Sequence, residues 1–350
     1  MCRLLDKLVA VTVGIICSTG LLAQGQTAGK TNTPSLPLIL VQTVALPGIT
    51  GDFDHFAIDV KGKRLFLAGE DHKTVEVIDL DNNQRVRSLT GFGTPHSILY
   101  LPEKDRLYVT DGVDGTVKIL KGSDYQPVDR IKLVEGADSI GYDHEARQLF
   151  VVTGGKDVPL DHSFLSKVDL ATDRPISDIR IESNHVEAMV LEHHGSRLFI
   201  NVTDKNEVAV IDRQAMKVNA RWKVGVGSEN SPIAFDESGK RLIIVCRKPP
   251  MLVVMNSENG SIVTNQPAAA RADDVVYDHK NRRIYVPGGE GYISVFSQQD
   301  ADHYAFLAKV PSAPGAKTAL LVPELNRLFV AVSPGETNAE AKVLIFEVKD

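Results

Sequence analysis

The sequence is poor in the residues that many activities depend on. Its 350 residues include three cysteines, one tryptophan (Trp222) and only 6% aromatics. Cys2 and Cys17 fall in an N-terminal stretch expected to be removed, which leaves Cys246 alone in "LIIVCRK". A mature chain with one cysteine forms no intrachain disulfide. Alternation puts Cys246 at the end of a buried strand, as a small core residue. There is no excess of positive charge either: 39 Lys and Arg against 45 Asp and Glu give −6, or −7 once Arg3, Asp6 and Lys7 are gone. An acidic surface with little to stack on disfavours nucleic acid and anionic membranes as partners.

Familiar chemical motifs are missing as well. The chain has no Cys-x-x-Cys-His for covalent haem, no Gly-x-Ser-x-Gly elbow, no His-Glu-x-x-His and no phosphate-cradling glycine loop. "GFGTPH" and "GVGSEN" read as turns, and no segment has the length and period of an amphipathic helix. "NVT" at 201 and "NGS" at 259 match the glycosylation sequon.

The first residues, "MCRLLDKLVAVTVGIICSTGLLAQGQ", carry two basic residues, an apolar run from Leu8 to Cys17, then small and polar residues. This reads as a secretory signal peptide over 1–23, since the run is too short to span a bilayer, followed by a flexible linker over 24–37. Ile16 stands where a lipoprotein cleavage site needs a small residue, so lipid anchoring is disfavoured. The expected location is periplasmic or secreted, with no integral membrane segment after signal removal.

What the chain does have is a repeat. "GKRLFLAGEDHKTVEVID" returns as "DRLYVTDGVDGTVKIL", "SRLFINVTDKNEVAVID" and four further variants. The residue before each apolar run is Arg64, Arg106, Gln148, Arg197, Arg241, Arg283 or Arg327, at intervals of 42, 42, 49, 44, 42 and 44 residues. Each unit holds four short apolar segments separated by turns, the pattern of an antiparallel meander. Four-stranded units of this length build a β-propeller, whose radial closure protects its sheet edges. The expected fold is therefore all-β: a single seven-bladed propeller over 38–350. The last unit lacks its fourth strand, and "LILVQTVALP" at 38–47 can supply it and close the ring.

The quoted repeats resemble the Tyr-Val-Thr-Asn (YVTN) repeat of YncE-like bacterial periplasmic propellers, over residues 38–350. The likeness extends more distantly to the haem-binding propellers of nitrite reductases and to lactonase-type propellers. It implies the fold and leaves activity open, because propellers host many functions. Single-stranded DNA binding, implied by the YncE resemblance alone, is disfavoured by charge and aromatic supply.

Counting ten residues back from each marker gives Asp54, His96, Asp138, Glu187, Ser231, Asp273 and Lys317, none of them apolar. Two residues on come Phe56, Ile98, Ile140, Met189, Ile233, Val275 and Ala319; two further, Ile58, Tyr100, Tyr142, Leu191, Phe235, Tyr277 and Leu321. The pattern is a polar channel mouth above an apolar shaft, with His55, His185 and Asp274 beside the ring. Strand starts facing a water-filled channel are polar without any function, so a solvated ring fits the same residues. The functional alternatives are non-enzymatic binding of a small ligand, cationic or polyhydroxy, of a polymer or of a partner protein, or a divalent cation on Asp54, Glu187 and Asp273 serving a metal-assisted hydrolase of the lactonase type, with His55, His96 or His185 as base. The second-to-third-strand loops at 70–73, 154–164, 246–250 and 333–341 are expected over the same mouth. His144, His193 and His194 are expected in turns on the opposite face. A monomer is expected.

Overall fold

The structure, a computed structural model, describes residues 36–335 and 340–350. The expected signal peptide and all but the end of the linker lie outside the described residues. Seven four-stranded antiparallel sheets follow one another along the chain as the blades of a propeller. Blade 1 runs from Phe56–Asp59 to Gln84–Leu89, and blade 7 takes Thr318–Val322, Arg327–Val332 and Ala341–Val348 from the C-terminal end. Its outermost strand is Leu38–Leu46, paired antiparallel from Leu38↔Val348 to Leu46↔Ala341. The N-terminal strand therefore closes the ring, as the missing fourth segment of the last repeat predicts.

Each marker residue, from Arg64 to Arg327 and including Gln148, opens the second strand of its blade. Just before it the chain turns through left-handed backbone at Lys63, Asp105, Arg147, Lys240, Arg282 and Asn326, with φ between 49° and 55°. In four of the blades the arginine fastens one blade to the next, whereas Arg106 and Arg327 bond only to carbonyls of the turn just before them. Arg64 donates to the carbonyl of Gly122 at 2.5 Å, Arg197 to Ser257 at 2.6 Å and Arg241 to Ala301 at 2.9 Å, while Arg283 reaches the carbonyl of Lys349. Where the marker is Gln148, Lys167 does this work instead, donating to the carbonyl of Arg213 at 3.0 Å.

Two residues past the marker, Phe66, Tyr108, Phe150, Phe199, Ile243, Tyr285 and Phe329 are fully buried. They pack with neighbouring-blade residues, as Phe66 does with Ile98 and Leu107 and Phe150 with Met189 and Leu198. Burying a large apolar side chain at each blade contact contributes about 2–3 kcal/mol relative to exposure. Cys246 is fully buried, and burial pushes its thiol up to about 12. Of the two sequons, Asn201 is buried with its side-chain amide donating to Ser231 and Pro232 carbonyls, whereas Asn259 lies in an exposed turn. Among the described residues no helix is long and apolar enough to cross a membrane.

Candidate functional site

The innermost strands position the site, and they do so through an irregularity. In blade 1 the Asp54 amide donates to Ala68 at 2.9 Å while the Ala68 amide donates to His55 at 3.1 Å, so two residues oppose one. Asp138 and Ser139 oppose Val152 in the same way. Blades 2, 4 and 5 shift register between Pro95 and Ile98, Val186 and Met189, and Asn230 and Ile233. A bulge adds a residue and re-aims its side chain, which lets neighbours such as Asp54 and His55 both reach the channel. Below the bulges the alternation is regular: Phe56, Ile98, Met189, Ile233, Val275 and Ala319 are each 7–8% exposed, which makes them the wall of one narrow lumen.

Four blades share one ion network at the mouth. Asp54 accepts from His96 Nδ1 at 2.7 Å and lies 3.2 Å from His55 Nε2; His55 Nδ1 lies 3.4 Å from Asp274, and His96 Nδ1 lies 4.0 Å from Asp138. His96 is seated tightly, since a Cβ on Gly112 would come within 2.9 Å of its Nε2. Burial would raise the Asp54 carboxyl, but the His55 charge and the His96 hydrogen bond outweigh it and hold the group far below its usual range. Burial works equally against charged His55 and His96. Asp54 and Asp274 raise His55 well above its usual value, and Asp138, Asp54 and Glu70 push His96 up to about 10.

The other expected residues fall into separate groups. Glu187 accepts from His185 Nε2 at 2.6 Å and lies 3.3 Å from Lys156; against burial, the His185 hydrogen bond and Lys156 hold it down to about 2. Asp273 pairs with Lys317 at 2.8 Å and with Arg247, and Lys317 also reaches Asp52 at 2.7 Å. Ser231 is buried, because its strand begins earlier, at Ser228, and packs on Asn201. Glu187 and Asp273 thus each hold a cation of the protein rather than joining Asp54.

Counting along the innermost strands does not reveal Glu70, which closes the site from the second-to-third-strand loop of blade 1. Asp54, Glu70 and His96 form the one set among the described residues whose donor atoms lie within 4.8 Å of one another and suit a metal ion. Burial and the nearby Asp54 charge push Glu70 up to about 7, and burial, with Asp54 and Glu187 nearby, pushes Asp138 up to about 6. No hydrogen bond or ion pair with a described residue holds the Glu70 carboxyl. Lys156 and Asp52 are also loop residues, and Arg247 lies near the end of the second strand of blade 5; the count along the innermost strands missed all three. The available signal was positional for Glu70 in 70–73 and Lys156 in 154–164; the loop expected at 246–250 is instead reduced to Pro249, between the strands Arg241–Lys248 and Pro250–Asn256. The loop at 333–341 falls partly on 336–339, outside the described residues.

The mouth divides into two cavities. One, of about 410 Å³, is lined by Glu70, His96, Asp138, Lys156, His185 and Glu187. The other, of about 850 Å³, is lined by Asp52, Arg247, Arg271 and Lys317 among glycines and prolines.

No protein-family model matches the chain, and no curated protein sequence does. Solved structures match it in fold. It is similar to the WD40 repeats of RRP9 (TM-score 0.73, 8% identity, 87% of this chain and 97% of that one). It is also similar to a chain of the mitotic checkpoint complex (0.72, 14% identity, 98% and 100%) and to hydrazine synthase of Kuenenia stuttgartiensis (0.70, 14% identity, 87% and 99%). The class defined by the fold is the seven-bladed β-propeller. At these identities the likeness extends to the fold alone.

Proposed function

We propose that the chain is an exported, monomeric binding propeller, related to the YncE-like group, that takes a small cationic or polyhydroxy ligand, or such a group on a protein partner, at the acidic half of its channel mouth. The observation that carries this reading is the Glu70 and Asp138 pair beside His96 in the smaller cavity. Both carboxyls sit where burial and like charge oppose their ionisation. A ring needed only for blade packing gains nothing from such groups, and strained ionisable groups in a cleft are a mark of binding sites. An ammonium or a set of hydroxyl donors would relieve that repulsion, forming charge-assisted hydrogen bonds. Export rests on residues 1–23 and the resemblance.

The test is a thermal-midpoint screen of the purified protein against polyamines, amino sugars, polyols and small organic acids. A ligand that binds only the folded state raises the midpoint. Amines or hydroxyl-rich compounds are expected to stabilise; stabilisation by the acids alone would overturn the reading.

A second reading, a metal-assisted hydrolase, is favoured by Asp54, Glu70 and His96. Two carboxylates and an imidazole suit a first-row divalent ion, which would take the place of the proton His96 shares with Asp54. It would supply an acidified water to a lactone or ester, with Asp138 able to accept a proton. Elemental mass spectrometry of protein purified without chelator or histidine tag, beside His96→Ala, decides it. Near one equivalent, lost in the variant, supports the hydrolase; a metal-free wild type removes it.

A further inference from the structure

The channel has a second chamber that the polar mouth does not explain. On the opposite face, where the innermost strands turn back, a cavity of about 880 Å³ opens between blades 3 and 7. Its walls are the third row of the repeat: Tyr142, Leu191, Phe235, Tyr277 and Leu321. All five are only partly buried, although they are large and apolar. It narrows into the shaft, a further space of about 320 Å³, and the two share Ile140, Tyr142, Met189, Ile233, Asp274 and Ala319 as lining. Tyr100, in the equivalent position on blade 2, packs instead against Phe66, with its hydroxyl 3.4 Å from Arg64.

The polar groups in this chamber are few and placed at its two ends. At the inner end stands Asp274, which accepts from the Ala319 amide at 2.8 Å and lies 3.4 Å from His55. At the outer rim are His193, His194 and His279, with Glu237 held by the amides of His193 and His194. No lysine or arginine lines the chamber. A concave, mainly apolar wall of this size, open at the rim and with one carboxylate at its inner end, is the arrangement of a small-molecule pocket rather than of a solvated turn surface.

We infer that this chamber binds an apolar, ring-bearing small molecule that enters from the face opposite the polar mouth and points a neutral hydrogen-bond donor or a cation at Asp274. Charge selects the class. A molecule with an anionic head would meet Asp274 and Glu237, and the one cation beside them, His55, is already held between Asp54 and Asp274, so anionic amphiphiles are disfavoured. The chamber meets the mouth only at Asp274, through its contact with His55; its other walls are third-row and shaft residues, and none of Glu70, His96, Asp138 or Lys317 lines it.

The experiment compares two fluorophores sharing the anilinonaphthalene ring system: neutral N-phenylnaphthylamine and its anionic sulfonate analogue. The neutral probe is expected to bind the whole protein at one equivalent, and the sulfonate at least about tenfold more weakly, the size of effect expected from a desolvated charge without a partner. Ala319→Phe, which fills the shaft, should weaken the neutral probe about tenfold or more, and Asp274→Asn several-fold. Should Ala319→Phe fail to fold, Leu321→Arg at the half-exposed wide end keeps the test open, and it should shift preference toward the sulfonate. Failure of the wild type to bind the neutral probe, or unchanged probe preference in folded Leu321→Arg, overturns the inference.

Discussion

Asp54 and Asp273 occupy the same place in the repeat, ten residues before the marker, yet they belong to different kinds of site. Asp273 sits between Lys317 and Arg247, and Lys317 is shared with Asp52. Arg247 and Lys317 close on Asp273 and Asp52, and Arg271 at the edge of that cavity is held by the Gly289 carbonyl. Asp54 is paired with His55 and His96, but the carboxylates around that pair, Glu70 and Asp138 with Asp274 behind, outnumber the imidazoles. One sector of the mouth is a neutralised fastening between blades 5, 6, 7 and the start of the ring. The other holds excess negative charge in a half-buried cleft. Position in a repeat fixes where a side chain stands; its loop neighbours decide whether it is structural or available.

The largest effect expected from breaking this contrast is at Asp54. Asp54→Ala leaves two charged imidazoles without their common carboxylate, and removing one partner of a buried ion pair costs about 3–5 kcal/mol. Chemical denaturation should show a loss of that order. Lys317→Met, in the closed sector, should cost less, about 1–2 kcal/mol, because Arg247 still neutralises Asp273 and Asp52 is partly exposed to water.

Changes in the acidic sector should go the other way. Glu70 is raised from 4.5 to about 7, so the folded state holds its proton more tightly than the unfolded one. Ionisation therefore costs stability as pH climbs from about 4.5 through 7, and nothing below that window. Glu70→Gln should stabilise the protein at pH 7.5 by about 1–2 kcal/mol after allowing for solvent screening, with the gain vanishing near pH 4. Thermal midpoints of the two proteins across that pH range check both sign and window. The smallest effect is expected at Arg180, whose pairing with Glu182 is fully solvated: Arg180→Ala should leave the midpoint unmoved.

The fold was legible because the residue that sets the repeat also fastens the blades. In four blades an arginine that reaches the carbonyl of the following blade stands at the blade period, and in all seven the apolar residue two places on is fully buried. The closing strand was legible because the last unit is one strand short. The mouth was only partly legible. Innermost strands begin at different distances from the marker, two residues after Asp54 but three before Ser231, so an equal count put Ser231 in a ring from which it is buried. Glu70 and Lys156 escaped because loop residues follow no period, and Arg247 because it stands on a second strand while only innermost strands were counted. Which carboxylates are neutralised depends on those same loops, so composition alone could not separate the two sectors.

The most direct test of the contrast is calorimetric titration of the best stabilising amine or hydroxyl-rich compound into three proteins: wild type, the Glu70→Gln, Asp138→Asn double variant, and Lys317→Met. Equal affinity is expected for wild type and Lys317→Met, with a loss of at least about tenfold in the double variant, roughly one charge-assisted hydrogen bond. Undiminished binding by the double variant, or a loss confined to Lys317→Met, would contradict this expectation.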